Sequence, residues 1–330
     1  MTEGRRGIVC AGNWILDMIH DIPAWPGKSE LVRITGQTSG LGGGPANVAA
    51  GLTAIGVDYP VNPIGLIGAG KLGDEVLALA LAAGLDTALI GRTAQAVTSQ
   101  THVMNVPGDS RTFFHHCGAN DLFGPEHIDI AALARRGAKI FYLGYLNLLA
   151  RLDRIGADGR PLAAQVLAEA RARGMMTCVD LVSSQSPTFR DTVFGALPDI
   201  DILFLNEIEA ARATGLPVDD AGDEQAMIRA AQALAAGGVH RAVILHSPER
   251  TIWFEDGRAE VHRPERLAPE AIVSAVGAGD AFAAGVMHGL HEGWARPACI
   301  ALGFRAARAC LSGATATSGL GRFLLDEGAG

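Results

Sequence analysis

The chain predicts an α/β fold: a mainly parallel sheet covered by helices on both faces, with a small β-lid inserted. Three observations carry that prediction. Continuous apolar runs bounded by turns alternate with helix-period segments, as expected for strands buried on both sides. Two regions instead alternate polar and apolar residues, the pattern of half-exposed strands. No repeat or low-complexity linker divides the 330 residues, 48% hydrophobic and 19% charged, so 1–330 is read as one large globular domain.

In chain order, the apolar runs place strands at 7–11, 59–67, 138–143, 176–181, 201–205 and 241–245. Helical periodicity between them predicts helices over 46–55, 74–83, 161–173, 207–214 and 224–236, with two more near the end at 281–293 and 297–311. The alternating segments 18–22 with 31–38, and 98–106 with 111–116, predict an antiparallel patch, with Gly108-Asp109 as a turn in the second pair. These lid segments, about 17–38 and 98–116, would exclude water from a reaction in which water competes.

The formal charge of −8, without long runs, argues against nucleic acid as a partner. An anionic substrate would then need a local positive site, such as a helix N-terminus or a bound metal. Five cysteines without a CxxC pair suggest reduced thiols. A polar N-terminus running into a strand suggests no signal peptide, and the longest apolar run, 76–85, is too short to span a membrane. The expectation is a cytoplasmic protein without a membrane partner.

Val276-Gly277-Ala278-Gly279-Asp280-Ala281-Phe282 is the most informative stretch. Two glycines at a helix start let backbone N–H groups approach an anion at the positive end of the dipole. A carboxylate there opposes that anion unless it is needed, for instance to take a proton from a hydroxyl attacking a phosphate. Asp280 alone would be read as a helix cap, so the functional reading requires partners elsewhere.

Two other glycine motifs are decoys. Gly68-Ala69-Gly70-Lys71-Leu72-Gly73 fits GxGxxG, but an earlier strand and helix precede it and Asp86 is an ordinary turn residue. Gly65 to Lys71 fits GxxxxGK, yet Leu72 stands where magnesium needs a hydroxyl. Both are read as a strand-to-helix turn.

A second constellation opens an early helix: Gly42-Gly43-Gly44-Pro45-Ala46-Asn47, whose glycines expose N–H groups and whose Asn47 both donates and accepts. Asp17, after the first strand, could hold vicinal hydroxyls. Taken singly, Asp17 reads as a turn residue and Asn47 as a helix-start residue.

Together with Asn206-Glu207-Ile208-Glu209 after a middle strand and GAGD late, these motifs resemble the PfkB/ribokinase family of sugar kinases, over nearly the whole chain. The resemblance implies a ribokinase-like three-layer α/β/α sandwich with a β-lid over the sugar. It implies transfer of the ATP γ-phosphate, with magnesium, to a hydroxyl (usually primary) of a sugar or sugar derivative. Asp280 matches the catalytic base, and Gly277, Ala278 and Gly279 match the backbone anion hole. Asp17, Gly42, Gly43 and Asn47 match sugar-binding positions. Asn206 and Glu209 match the pair that positions hydrated magnesium and the phosphates. Of the lid residues His115, His116 and Asn120, His116 is taken as the substrate contact, since strand neighbours face opposite ways. Relatives often dimerise through the lid, which implies a homodimer.

The chain departs from the family in two places. Ser274 stands where an Asp helps hold a monovalent cation, which puts potassium activation in doubt. His246-Ser247-Pro248-Glu249-Arg250-Thr251 replaces a glycine-rich phosphate contact, and there His246 or Arg250 is the candidate for nucleotide binding. A nucleoside kinase is the alternative, with Trp14, Phe113 and Phe114 as the few candidates for a wall against a base. A second alternative is a regulator that binds sugar or nucleotide but transfers phosphate poorly.

Overall fold

The computed structural model describes residues 4–107, 111–218 and 223–322. The N-terminal part runs β1 (Ile8–Gly12), β2 (Ile15–Asp21), β3 (Gly36–Gly42), α1 (Gly44–Ile55), β4 (Val61–Gly68), α2 (Lys71–Ala82), β5 (Ile90–Thr93), β6 (Ser99–Asn105) and β7 (Thr112–His116). The middle contributes α3 (Ile130–Arg135), β8 (Ile140–Leu146), α4 (Ala150–Asp153), α5 (Leu162–Ala172), β9 (Met176–Leu181), α6 (Phe189–Ala196), β10 (Ile202–Asn206), α7 (Glu207–Thr214) and α8 (Glu224–Ala236). The last part is β11 (Ala242–His246), β12 (Thr251–Glu255), β13 (Arg258–His262), α9 (Ala278–Glu292) and α10 (Arg296–Leu311).

Nine strands form one sheet in the order β13-β12-β11-β10-β9-β8-β1-β4-β5, parallel from β11 to β5. Alternate residues divide the core between its faces. Val9, Phe141, Leu203 and Val243 pack towards α3 and α5–α8. Ile8, Ile140, Ile202 and Ala242 pack towards α1, α2, α9 and α10. A sheet buried on both sides explains the unbroken apolar runs, and the expected three-layer sandwich is what forms.

The second sheet has the order β3-β2-β6-β7. Each hairpin pair is antiparallel as expected, but β2 and β6 join them in parallel register. The expected strand at 31–38 is displaced to β3, Gly36–Gly42, because the glycine-rich GQTSGLG becomes a strand only by pairing along β2. The turn expected at Gly108-Asp109 lies outside the described residues. The antiparallel edge β12–β13 was not expected, although Asp256-Gly257, both at positive φ, is a strong hairpin signal.

Candidate active site

Parallel strands of an open α/β sheet present ligand sites at their carboxyl ends. Asn13 follows β1, Tyr145 lies near the end of β8, Asp180 near the end of β9, and Asn206 and His246 end β10 and β11. The α9 N-terminus meets this edge. Its cap, Gly277, has φ 80°, and a Cβ there would come within 2.5 Å of the Ala316 methyl, so only glycine permits the turn. Of the three expected anion-hole groups, the Ala278 N–H already donates to the Ala275 carbonyl at 3.3 Å. First-turn groups such as those of Gly279 and Asp280 lack an intrahelical acceptor and are the free donors.

Asp280 is buried and faces the early glycine loop. Its Oδ2 accepts from Asn47 Nδ2 at 2.9 Å, a contact spanning 233 positions of sequence. The Tyr145 phenol donates to both carboxylate oxygens, at 2.9 and 2.7 Å. Burial raises Asp280 to about 6 even against these two donors, which lower it.

Asp17 projects from β2 towards the same space. A Cβ on Gly42 would come within 2.3 Å of its carboxylate, so the absence of a side chain at 42 is what admits it. Burial, with a further contribution from the Asp280 charge, raises Asp17 to about 7 against a hydrogen bond from Thr101. Gly43 caps α1 at φ 95°.

Register extends this row across the small sheet: Gly40, Asp17, Thr101 and His115 lie side by side. Thr101 Oγ1 and His115 Nδ1 are 3.0 Å apart. The exposed His116 pairs with Gln100 on the opposite face, so His115 rather than the expected His116 is brought to Asp17. On Asp17's face the next row holds Ile19, Val103 and the half-exposed Phe113. Beyond it Arg111 donates to Asn105 Oδ1 at 3.3 Å and reaches Ser274 Oγ and the Val273 carbonyl. The small sheet is thereby tied to the turn that leads into α9. Trp14, offered as a wall for a base, is fully buried with its indole N–H on the Ile64 carbonyl at 3.1 Å, and cannot face a substrate.

Asn206 and Glu209 form a reciprocal capping box at the start of α7. Asn206 Oδ1 accepts from Glu209 N at 2.9 Å, and Glu209 Oε2 accepts from Asn206 N at 2.8 Å. Glu209 Oε1 accepts from Asn206 Nδ2 and Ser183 Oγ, both at 2.9 Å. With three donors already on it, this carboxylate suits contact with a metal-bound water better than direct ligation. Among the described residues no group of three or more His, Cys, Asp or Glu side chains could hold a metal. Burial raises Glu209 to about 7.

His246 lies against Gly279, where a Cβ would come within 3.1 Å of its ring, and burial lowers it to about 4. It is neutral at physiological pH, so it brings no charge to a phosphate. Arg250 is drawn to Glu224 at 3.4 Å, in the turn that joins β11 to β12. Of the two candidates for nucleotide binding, His246 faces the α9 start without a charge, and the charge of Arg250 is paired with Glu224.

Sequence reading missed Tyr145, Asp180, Thr101 and Arg111. Asp180 is a buried carboxyl held well above its usual range by desolvation and by Asp280 and Glu209, with the Tyr142 hydroxyl 3.5 Å away. Its position near the carboxyl end of a predicted strand was the available signal. Tyr145 and Arg111 carried none, because their partners at 280 and 274 are distant in sequence.

A family model described as pfkB family carbohydrate kinase matches residues 5–320. The chain belongs to that family. Adenosine kinase of Schizophyllum commune is 26% identical over 280 residues, 80% of this chain and 77% of that protein. Adenosine kinase of Saccharomyces cerevisiae is 28% identical over 191 residues, 57% of this chain; the match spans only 54% of that relative's length. Among solved structures, Arabidopsis thaliana ribokinase complexed with ribose and ATP superposes with TM-score 0.72 at 21% identity, covering 97% of this chain and 99% of that one. The sandwich is thus ribokinase-like, as the motifs implied.

Proposed function

We propose that this PfkB-family chain transfers the γ-phosphate of ATP to a hydroxyl, most simply a primary one, of a sugar or sugar derivative. The carrying observation is the Asp280–Asn47 hydrogen bond, which joins the late glycine turn to the early glycine–asparagine loop at the carboxyl edge of the sheet. Asp17 and Asn47 bind acceptor hydroxyls, with Gly42 and Gly43 letting the backbone come close. Asp280 takes the acceptor's proton. The Gly279 and Asp280 N–H groups, exposed by the 277–279 turn, donate to the transferring phosphoryl group, and Arg111 offsets its charge from the small sheet. Asn206 and Glu209 would hold magnesium through its waters; bound there, the ion neutralises phosphate charge. Ser274 adds no carboxylate and is engaged by Arg111, which supports a kinase that needs no potassium.

The small sheet acts as the lid. Its edge strand β7, with Phe114 half exposed on the face away from Asp17, is the surface we assign to a homodimer. Cytoplasmic residence fits five free cysteines, and no helix among the described residues is long and apolar enough to cross a membrane.

A nucleoside kinase is the second reading. It is favoured by the adenosine kinases among the relatives and by Phe113, which offers an apolar ring on Asp17's face. An ATP-consumption screen against ribose, fructose, keto-deoxy sugars and nucleosides decides between them. Asp280→Asn should lower kcat by roughly 10³-fold with acceptor affinity near normal. A variant that kept most of its turnover would overturn the base assignment. Turnover with none of the acceptors, together with a sugar-induced thermal shift, would favour the regulator.

A further inference from the structure

Both carboxylate oxygens of Asp280 are already engaged in this structure. Asn47 takes one side of Oδ2, and a single phenol O–H lies 2.7–2.9 Å from both carboxylate oxygens. A general base must stand about 2.6–3.2 Å from the oxygen it deprotonates. The Tyr145 oxygen therefore occupies a position, within reach of both carboxylate oxygens, that suits an acceptor hydroxyl. The ring is fixed there by its neighbours. The Tyr145 N–H donates to Asn13 Oδ1, Asn13 Nδ2 donates to the Leu148 carbonyl at 2.8 Å, and a Cβ on Gly44 would come within 2.8 Å of the ring. The ring is only partly buried, so it can be displaced from the open side.

We infer that Tyr145 is a positioning residue that keeps the acceptor's seat on Asp280, excludes water from the base, and yields only to an acceptor hydroxyl. The inference rests on the kinase reading. A carboxylate left open beside free N–H donors would orient water towards a bound γ-phosphate, and water is the competitor every kinase must exclude. Removing the hydroxyl while keeping the ring leaves a space of about one oxygen, which water can fill.

Two measurements test it separately from the kinase reading. The chain has three tyrosines, so 3-fluorotyrosine labelling gives three 19F resonances. The Tyr145 resonance, assigned with Tyr145→Phe, should titrate with a midpoint near about 6 and lose that titration in Asp280→Asn, without nucleotide present. Acceptor-free hydrolysis of Mg·ATP should rise roughly tenfold or more in Tyr145→Phe and stay at background in Asp280→Asn and in the double variant. The acid limb of that hydrolysis should move to higher pH, because a donor to the carboxylate is gone. A Tyr145→Phe protein that binds ATP normally by thermal shift but hydrolyses it no faster than wild type overturns the guard role. So does a Tyr145 resonance indifferent to Asp280→Asn. Wild-type protein that fails to bind Mg·ATP would overturn the kinase reading and, with it, the guard.

Discussion

Replacing Asp17 by Asn should stabilise the fold at pH 8 while weakening acceptor binding. Burial raises this carboxyl from 3.8 to about 7, which corresponds to about 4 kcal/mol between its folded and unfolded ionisation. The sign follows from the direction. A raised carboxyl contributes stability that is fully present below 3.8 and lost as pH rises through about 7, so at pH 8 the folded protein carries an unfavourable charge. Asn keeps an oxygen to accept from Thr101 but leaves an amide short of an acceptor, so a gain of about 2–4 kcal/mol is expected. Urea unfolding of wild type and Asp17→Asn at several pH values measures it. The gap should be widest at pH 8 and narrow steadily towards pH 4, while the acceptor KM rises throughout. A variant less stable than wild type at pH 8, or a gap that does not change with pH, would show that Asp17 is not held against an unfavourable burial.

Three further outcomes are expected. Gly277→Ala forces a side chain into φ 80° and onto Ala316, costing about 1–2 kcal/mol by thermal unfolding and most of the activity. Arg111→Gln removes a charged donor from Ser274 and should lower kcat/KM for ATP by roughly 10–100-fold with little change in melting temperature; an unchanged kcat/KM would confine Arg111 to the lid. The pH profile of kcat/KM should fall below about pH 6, where Asp280 takes up a proton and can no longer accept one, and a profile flat to pH 5 would exclude it as the base.

The motifs that chemistry requires at fixed spacing were legible because local geometry creates them. GAGD announces a glycine-capped helix start, and Asn206-x-x-Glu209 is a capping box whose two halves lie one turn apart. The central strands were legible because a sheet covered on both faces demands unbroken apolar runs. Some local signals were there and went unused, as at Asp256-Gly257.

What the sequence determined by itself was therefore the layered fold and its family, and it singled out Asp280, Asn47 and Asp17, which the structure brings to one place. What only the tertiary structure decided was who stands beside them. Asp280 meets Tyr145 across 135 positions, Arg111 meets Ser274 across 163, and β3 exists as a strand only because β2 lies alongside. His115 rather than His116 joins Asp17 because strand register, fixed by pairing over a whole sheet, chooses which neighbour points inward. Burial did the rest. Desolvation raises Asp17, Asp180, Glu209 and Asp280 together, and no local pattern of residues reports how much water a folded edge will exclude.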